Sequence, residues 1–186
     1  MMDNLLSTPL FAKSELSDEQ RWLPEARLGR TWALEQFYDS YQSQIYNLCY
    51  RILGRPEDAE DVMQTAFVRA FTALPNFRGA SSIKTWLYRI AVNESMTLFR
   101  KQKHLQGVWE GELGSEDRSA TLTEQLAIQG VLTRLKPEHR LILTLRFWED
   151  LSYQEIAFVL RIPLTTVKMR LKRAKEEFRK GYEEHP

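Results

Sequence analysis

The chain has 186 residues, of which 43% are apolar, a proportion that fits a folded globular protein and excludes a fully disordered one. Lysine and arginine number 26 against 25 aspartate and glutamate, so the net charge of +1 indicates no class of partner by itself. No run of about 18 apolar residues is present to span a membrane, and Cys49, as the single cysteine, cannot form an internal disulfide.

Targeting signals and catalytic motifs are missing from the sequence. We expect no signal peptide, because residues 1–13 lack a basic segment followed by a long apolar stretch. A lone cysteine fits a reducing compartment, so we expect a cytoplasmic protein. Three widely spaced histidines argue against a Cys/His metal site, and we predict no metal and no cofactor. Without a nucleophile–base pair or a glycine-rich phosphate loop, an enzyme is the weaker alternative.

Helical periodicity dominates the N-terminal part, after a tail at residues 1–17. Four helices are predicted there, over residues 18–28, 31–53, 56–74 and 82–103. Gly54 ends the second helix as a C-terminal cap, and Pro56 occupies a favoured first position of the third. Cys49 falls on the apolar stripe of the second helix, which favours plain packing over a regulatory thiol.

The composition then changes. Residues 106–124 hold five acidic residues and one basic residue, a net charge of −4, with little apolar periodicity. This predicts an acidic linker, placed at residues 105–121. Four more helices are predicted beyond it, over residues 122–135, 137–148, 152–160 and 164–181. The predicted fold class is all-α, with two small helical domains joined by a flexible acidic linker.

The last two predicted helices form a helix-turn-helix. Ser152 can cap the first of them, and Glu155 three residues later completes a capping box. Residues 161–180 contain eight basic and two acidic residues. One narrow sector of the second helix is apolar and must be core: Leu164, Val167, Leu171, Ala174 and Phe178. A basic helix with a buried apolar face is typical of a reader of the DNA major groove. The alternative is an ordinary hairpin with a solvated basic face.

Two further segments of the N-terminal part carry chemistry. Four carboxylates at residues 57–61 crowd the start of the third helix, where either the helix dipole or a partner protein would account for them. Residues 77–93 interleave aromatic, basic and small polar side chains, which is typical of single-stranded nucleic-acid binding. A core position is the preferred interpretation for Trp86 and Leu87, so the loop at residues 78–82 is the better candidate for contact with bases.

Five segments, in this order and spacing, resemble the extracytoplasmic-function (ECF) family of bacterial RNA polymerase sigma factors. They are FY…Y…IY within residues 37–46, DAEDVMQ at 58–64, ALPNFRG at 73–79, TWLYRIA with Asn93 from 85, and LSYQEIA, TVK and RL within 151–171. The resemblance covers residues 18–180. It implies a region 2 domain at residues 18–104 and a region 4 domain at residues 122–186.

The resemblance implies a polymerase specificity subunit without catalysis of its own. Such a protein binds core RNA polymerase, recognises the −35 and −10 promoter elements and promotes promoter melting and transcription initiation. The linker would pass through the RNA channel of the polymerase. An anti-sigma factor is expected as a further partner, and no membrane insertion is expected.

The resemblance also implies roles for individual residues. Core polymerase would contact one face of the third helix: Asp58, Glu60, Asp61 and Gln64. The melted −10 element would contact a loop and the helix after it: Phe77, Arg78, Gly79, Ala80, Ser81, Ser82, Lys84, Arg89 and Asn93. The duplex −35 element would contact the second helix of the helix-turn-helix: Thr165, Thr166, Lys168, Met169, Lys172 and Arg173.

Three positions depart from the family pattern. Arg161 stands where the turn usually carries glycine, Thr165 replaces the glycine that usually begins the recognition helix, and Met169 replaces a common serine. A left-handed backbone at Arg161 would cost on the order of 1 kcal/mol. We expect an unusual −35 sequence rather than a different fold.

A conventional helix-turn-helix regulator with a helical sensor domain is the alternative from another class. Such a regulator should bind DNA without polymerase, as a dimer on paired half-sites. The asymmetric two-domain layout and the absence of an effector-pocket motif argue against it.

Overall fold

The computed structural model describes residues 18–106 and 123–183, with side chains described over residues 18–102 and 128–183. Over these ranges the chain forms α-helices and one short 3₁₀ turn, and no strand. The helices are α1 Asp18–Arg27, α2 Thr31–Leu53, α3 Pro56–Ala73, α4 Ile83–Gln106, α5 Thr123–Arg134, α6 Pro137–Phe147, α7 Tyr153–Leu160 and α8 Leu164–Glu183. The predicted all-α class is confirmed. The predicted tail and most of the predicted linker lie outside the described residues.

Breaker and cap residues set the ends of the N-terminal helices as predicted. Gly54 adopts φ 80°, and its N–H donates to the carbonyl of Tyr50 over 2.8 Å, which closes α2. Pro56 begins α3, and α3 gives way to the 3₁₀ turn Leu74–Asn76, which contains Pro75. None of the helices in residues 18–106 and 123–183 is long and apolar enough to cross a membrane.

Phe37 lies at the centre of the N-terminal helices. Its fully buried ring has its centroid 5.4 Å from that of Trp22, 5.6 Å from Tyr41 and 5.9 Å from Phe67. Aromatic pairs at these separations contribute beyond the area that they bury. The cluster therefore fastens α1 and α3 to α2. Cys49 is also fully buried on α2, and its burial agrees with a packing role.

The C-terminal helices enclose α6, in which every residue from His139 to Leu145 is buried. The predicted apolar stripe of α8 is buried at its centre, at Val167, Leu171 and Ala174. Its ends differ from the prediction. Phe178 is half-buried, and Leu164 is 36% exposed, because it is the first residue of α8 and borders an open groove rather than the core.

The N-terminal helices α1–α4 pack directly against the C-terminal helices α5–α8, an arrangement that the sequence did not predict. Helix α2 contacts α5 and α6, and α4 contacts α7. Arg140 of α6 is fully buried in this contact and donates from Nη1 to the carbonyl of Ile52 over 2.8 Å. The same guanidinium donates from Nε to the carbonyl of Leu132 over 2.7 Å, so one side chain joins the last turns of α2 and α5.

Candidate protein-docking and nucleic-acid surfaces

The acidic start of α3 presents a face that points away from the core. Ala59, Val62 and Met63 are buried on the inner side, whereas Glu60, Asp61 and Gln64 are exposed. Gln64 Nε2 donates to Glu60 Oε1 over 3.4 Å, which keeps the two side chains together. We call Glu60, Asp61 and Gln64 the α3 face; it is compact and anionic, and the helix that carries it is packed on the core through its opposite side.

Asp58, predicted to share that role, is partly engaged inside the molecule. It is half-buried, accepts a hydrogen bond from Gln102 Nε2 of α4 over 3.1 Å and lies 3.8 Å from Arg55 Nε. A carboxylate with these partners orients α3 on α4. Asp58 therefore lies at the inner edge of the α3 face rather than at its centre.

The loop before α4 has one buried and several exposed members of the predicted −10 set. Phe77 is 8% exposed, and its ring packs against Trp86 with centroids 5.2 Å apart, so it anchors the loop and does not present an open face for a base. Arg78, Gly79 and Ala80 are exposed. Gly79 has φ 71° with open space where a side chain would point, so glycine is required there by its backbone and not by crowding.

Helix α4 begins with a side-chain cap from the same loop. Ser82 Oγ accepts a hydrogen bond from the N–H of Thr85 over 3.0 Å. Lys84 is half-buried, with its ammonium 5.3 Å from the centre of the Tyr88 ring, and Asn93 is exposed two turns further along. The structure thus places the exposed loop and the polar positions of α4 next to one another.

Arg89 is the member of this set that differs most from expectation. Its guanidinium carbon lies 4.8 Å above the ring of Phe158, so it faces α7. Burial, and then the charge of nearby Arg161, lower its pKa. Arg89 is half-buried and is occupied within the molecule rather than open to a nucleic acid.

The helix-turn-helix is built as predicted. Ser152 Oγ accepts from the N–H of Glu155 over 3.2 Å, and the Glu155 carboxylate accepts from the N–H of Ser152 over 2.9 Å, which confirms the capping box. Ser152 Oγ also donates to Glu155 Oε2 over 2.7 Å, and this bond, together with the one from the Ser152 N–H, holds the pKa of Glu155 below its usual range. Arg161 closes α7 with φ 54° and ψ 44°, so the turn has the left-handed geometry in which glycine is the usual residue.

The outer side of α8 carries the predicted −35 set. Thr165, Lys168, Lys172 and Arg173 are exposed, Thr166 is half-buried, and Met169 is 55% exposed. Opposite these positions α8 is buried against the other helices. We call Lys168, Met169, Lys172 and Arg173 the basic face of α8; it has the convex shape and charge that fit a DNA groove.

One basic residue of α8 is directed elsewhere. Arg170 Nη2 lies 3.3 Å from Glu138 Oε2 at the start of α6, which makes it a brace between two helices. His139 Nδ1 bonds Glu177 of α8 in the same region. Within the part of the chain that the structure describes, no group of three or more His, Cys, Asp or Glu side chains could hold a metal ion.

Sequence reasoning missed the residues that join the two sets of helices. Tyr88 of α4 donates to Glu149 Oε2 over 2.5 Å, and Arg51 Nη1 of α2 lies 3.6 Å from Glu149 Oε1. Glu149 is 7% exposed. A carboxylate directly after an amphipathic helix gives no local signal of burial, because its partners lie far away in the sequence.

Comparison with known proteins adds an independent line of evidence. Sigma-70 region 2 matches residues 37–105, and Sigma-70, region 4 matches residues 125–178. The ECF RNA polymerase sigma factor SigW of Bacillus subtilis is 34% identical over 175 residues, which span 85% of this chain and 93% of SigW. The RNA polymerase sigma-H factor of Pseudomonas aeruginosa is 32% identical over 179 residues, which span 88% of this chain and 93% of that protein.

Solved structures share the fold. The sigma factor RpoE of Bartonella quintana, in complex with the anti-sigma factor NepR, has a TM-score of 0.70 at 19% identity and covers 82% of this chain and 98% of that one. CnrH in complex with the cytosolic domain of CnrY also has a TM-score of 0.70, at 22% identity, over 89% of this chain and 97% of that one. The matches to both sigma-70 regions and to relatives of almost the same length lead to one conclusion: the chain belongs to the ECF family of RNA polymerase sigma factors, which are transcription initiation factors.

Proposed function

We propose that this sigma factor docks on core RNA polymerase through the α3 face, with Asp58 at its edge. The observation that carries the proposal is the separation of two charged surfaces, an anionic one on α3 and a cationic one on α8, each backed by buried apolar residues. Exposed carboxylates on a rigid helix suit a basic protein surface, and charge complementarity speeds association as well as selecting the partner.

Promoter recognition is assigned to the other two surfaces. The basic face of α8, with Thr165 and Thr166 near phosphate, reads the −35 duplex in the major groove. The loop residues Arg78, Gly79, Ala80, Ser81 and Ser82, with Lys84 and Asn93 of α4, hold the unpaired −10 strand. Arg89 joins them when its guanidinium leaves the ring of Phe158, and Phe77 supports the loop from beneath. Unstacking a base costs a few kcal/mol, which contacts in a loop pocket offset.

The division of the chain follows from these roles. Residues 18–104 act as the region 2 domain, residues 105–121 as the linker and residues 122–186 as the region 4 domain, with residues 1–17 as a tail. Two weak readers on one chain act together through their effective concentration. The protein performs no chemistry, since the polymerase supplies it, and it acts in the cytoplasm, where the polymerase is found.

An anti-sigma factor is proposed as a regulatory partner. The support is that the sigma factors RpoE and CnrH, which share this fold, were solved with NepR and with the cytosolic domain of CnrY. An apolar groove lined by Leu143, Phe147, Trp148, Lys175 and Phe178 offers a surface on which a partner helix could pack.

The first experiment is binding of the labelled protein to purified bacterial core RNA polymerase. Asp61→Lys should weaken binding at least about tenfold, since it places a cation in the centre of the α3 face. Asp39→Lys is the matched control, because Asp39 is an exposed carboxylate on α2, away from that face. Tight binding of the free protein to duplex DNA, without binding to core polymerase, would favour the independent helix-turn-helix regulator instead.

A further inference from the structure

Met169 places an exposed apolar side chain in the middle of the basic face of α8. It is 55% exposed, whereas Val167, two positions before it, and Leu171, two positions after it, are both buried. Successive residues of an α-helix are rotated by about 100°, so Met169 points about 160° away from each of these core residues. Its side chain therefore stands at the centre of the outer side of α8.

Cationic side chains lie on both sides of Met169. Lys172 and Arg173 follow it by one turn and are rotated from it by about 60° and about 40°, in opposite directions around the helix axis. Both are exposed. Long cationic side chains so placed reach the phosphates that border a groove, whereas the side chain between them faces the base edges. Met169 is thus the member of the basic face that is best placed to contact a base.

The chemistry of the Met169 side chain decides which base it favours. A thioether offers one weak hydrogen-bond acceptor and no donor, so it cannot read the polar pattern that arginine or asparagine uses to select a base. The apolar group that a base edge presents in the major groove is the C5-methyl of thymine. Contact between this methyl and the side chain of Met169 removes apolar surface of both from water, which favours thymine at that position.

We propose that Met169 reads the C5-methyl group of a thymine in the −35 element and makes that thymine a specific feature of the promoters that this protein uses. The proposal rests on the proposed function, because it needs α8 to lie in the major groove. Burial of one methyl group corresponds to about fourfold in affinity. A serine at this position would lack the preference, because its hydroxyl both donates and accepts and can pair with any base edge.

Selection of promoter duplexes supplies the probe. Core RNA polymerase reconstituted with the full chain enriches binding sequences from a pool of random duplexes, and parallel selections use Met169→Ser and Leu28→Ser. Leu28 is 72% exposed directly after α1, so its replacement makes the same change from apolar to hydroxyl side chain away from α8. We expect a thymine at one position of the −35 element with wild type and with Leu28→Ser, and loss of that preference with Met169→Ser.

Uracil isolates the contribution of the methyl group, because it has the hydrogen-bonding groups of thymine without the C5-methyl. Each thymine of the selected −35 element is replaced in turn by uracil, and the affinity of the holoenzyme for the duplex is measured by fluorescence anisotropy. One replacement should weaken binding about fourfold for wild type and for Leu28→Ser. The same replacement should change binding by less than about twofold for Met169→Ser, since the two partners of the contact act as a pair.

Met169→Leu distinguishes an apolar contact from a role in shaping α8. It keeps an apolar side chain and should keep most of the sensitivity to the methyl group, while circular dichroism reports whether each variant is folded. A −35 element without a thymine preference, or a uracil replacement that weakens wild type and Met169→Ser equally, would overturn the proposal and leave promoter binding intact. If the wild-type holoenzyme does not form or enriches no sequence, the proposed function fails, and the proposal fails with it.

Discussion

Arg140 and Ile52 stand 88 positions apart and are joined by a 2.8 Å hydrogen bond from the guanidinium to the carbonyl oxygen. The guanidinium also donates to the carbonyls of Leu132 and Thr133. It therefore brings a positive charge to the carboxyl ends of α2 and α5, where helix dipoles favour a cation. Burial lowers the pKa of Arg140 to about 10, so it remains protonated at neutral pH.

Replacing Arg140 with methionine should lower the free energy of unfolding by about 3 kcal/mol or more. The variant keeps most of the side-chain volume but takes the guanidinium donor from the carbonyls of Ile52 and Thr133, each at a cost of about 1–3 kcal/mol, whereas the carbonyl of Leu132 still accepts from the N–H of Leu135 over 3.2 Å. Urea denaturation followed by circular dichroism measures the change. Arg134→Met is the control, because Arg134 is exposed on α5 and its loss should cost less than about 0.5 kcal/mol. Equal losses in both variants would contradict the role of Arg140.

The capping box makes the stability of α7 depend on pH. Ser152→Ala should cost about 1 kcal/mol at neutral pH, because the N–H of Glu155 loses its acceptor and the Glu155 carboxylate loses the hydroxyl donor of Ser152, although it keeps the backbone N–H of residue 152. The pKa of Glu155 is depressed in the folded protein. Its contribution is therefore complete above the pKa that it has in the unfolded chain and is lost as the pH falls through the lower, folded value.

The difference in unfolding free energy between wild type and Ser152→Ala should shrink between about pH 7 and about pH 3. Urea titrations at several pH values across this interval measure it. Ser40→Ala is the matched control, because Ser40 lies inside α2 and donates only to the carbonyl of Gln36. Its effect should be small and independent of pH. If the difference in unfolding free energy between wild type and Ser152→Ala does not change with pH, the ionised Glu155 carboxylate does not contribute to stability through the capping box.

Arg161→Gly should raise the free energy of unfolding by about 1 kcal/mol. The residue has φ 54°, and glycine adopts this conformation without the contact that a Cβ makes. The backbone N–H, which donates to the carbonyl of Ala157, is kept. Asp150→Gly is the matched comparison, because Asp150 also has a left-handed backbone, with φ 53°. Aspartate tolerates this conformation better than arginine, so Asp150→Gly should raise the free energy of unfolding by less. Thermal unfolding should therefore show the larger gain for Arg161→Gly, and the reverse order would refute the strain argument.

The elements and caps of this protein were predictable because their causes are local. Gly54, Pro56 and the Ser152–Glu155 pair lie within a few residues of the helix ends that they define, and the apolar stripe of α2 is read at helical spacing. The same helical spacing predicts that the residues of the α3 face and of the basic face of α8 are exposed, because they lie opposite the apolar stripes of their helices. The role of each residue at polymerase or promoter remains a prediction.

The packing of one set of helices on the other could not be predicted, because its causes are distant in sequence. Arg140 and Glu149 are charged residues whose buried partners include groups of α2 and α4: the carbonyl of Ile52 for Arg140, and the side chains of Arg51 and Tyr88 for Glu149. Phe77 gives a smaller example of the same kind. It follows a turn, outside any periodic segment, so nothing near it in the sequence distinguishes a ring packed on Trp86 from a ring open to a base.

Cys49 should behave as an inert thiol in the folded protein. It is fully buried, burial raises its pKa to about 12, and the thiolate is the reactive form. Reaction with a disulfide reagent near pH 8 should therefore be very slow without denaturant and complete rapidly in denaturing urea. Free cysteine at the same pH is the reference. Rapid labelling of the native protein would indicate that the Cys49 thiol is accessible and would support a regulatory role for it instead of plain packing.

Reversing two charges of the basic face of α8 should disable promoter use without unfolding the protein. Lys172 and Arg173 are both exposed, and contacts of this kind contribute about 1–3 kcal/mol each, so Lys172→Glu combined with Arg173→Glu should reduce run-off transcription by the reconstituted holoenzyme at least about tenfold. Arg179→Glu with Lys180→Glu changes the net charge by the same amount at the far end of α8 and should have much less effect. Equal losses of transcription in the two double variants would mean that only the overall charge of α8 matters. Unchanged transcription with Lys172→Glu and Arg173→Glu would show that the basic face of α8 does not contact the −35 element.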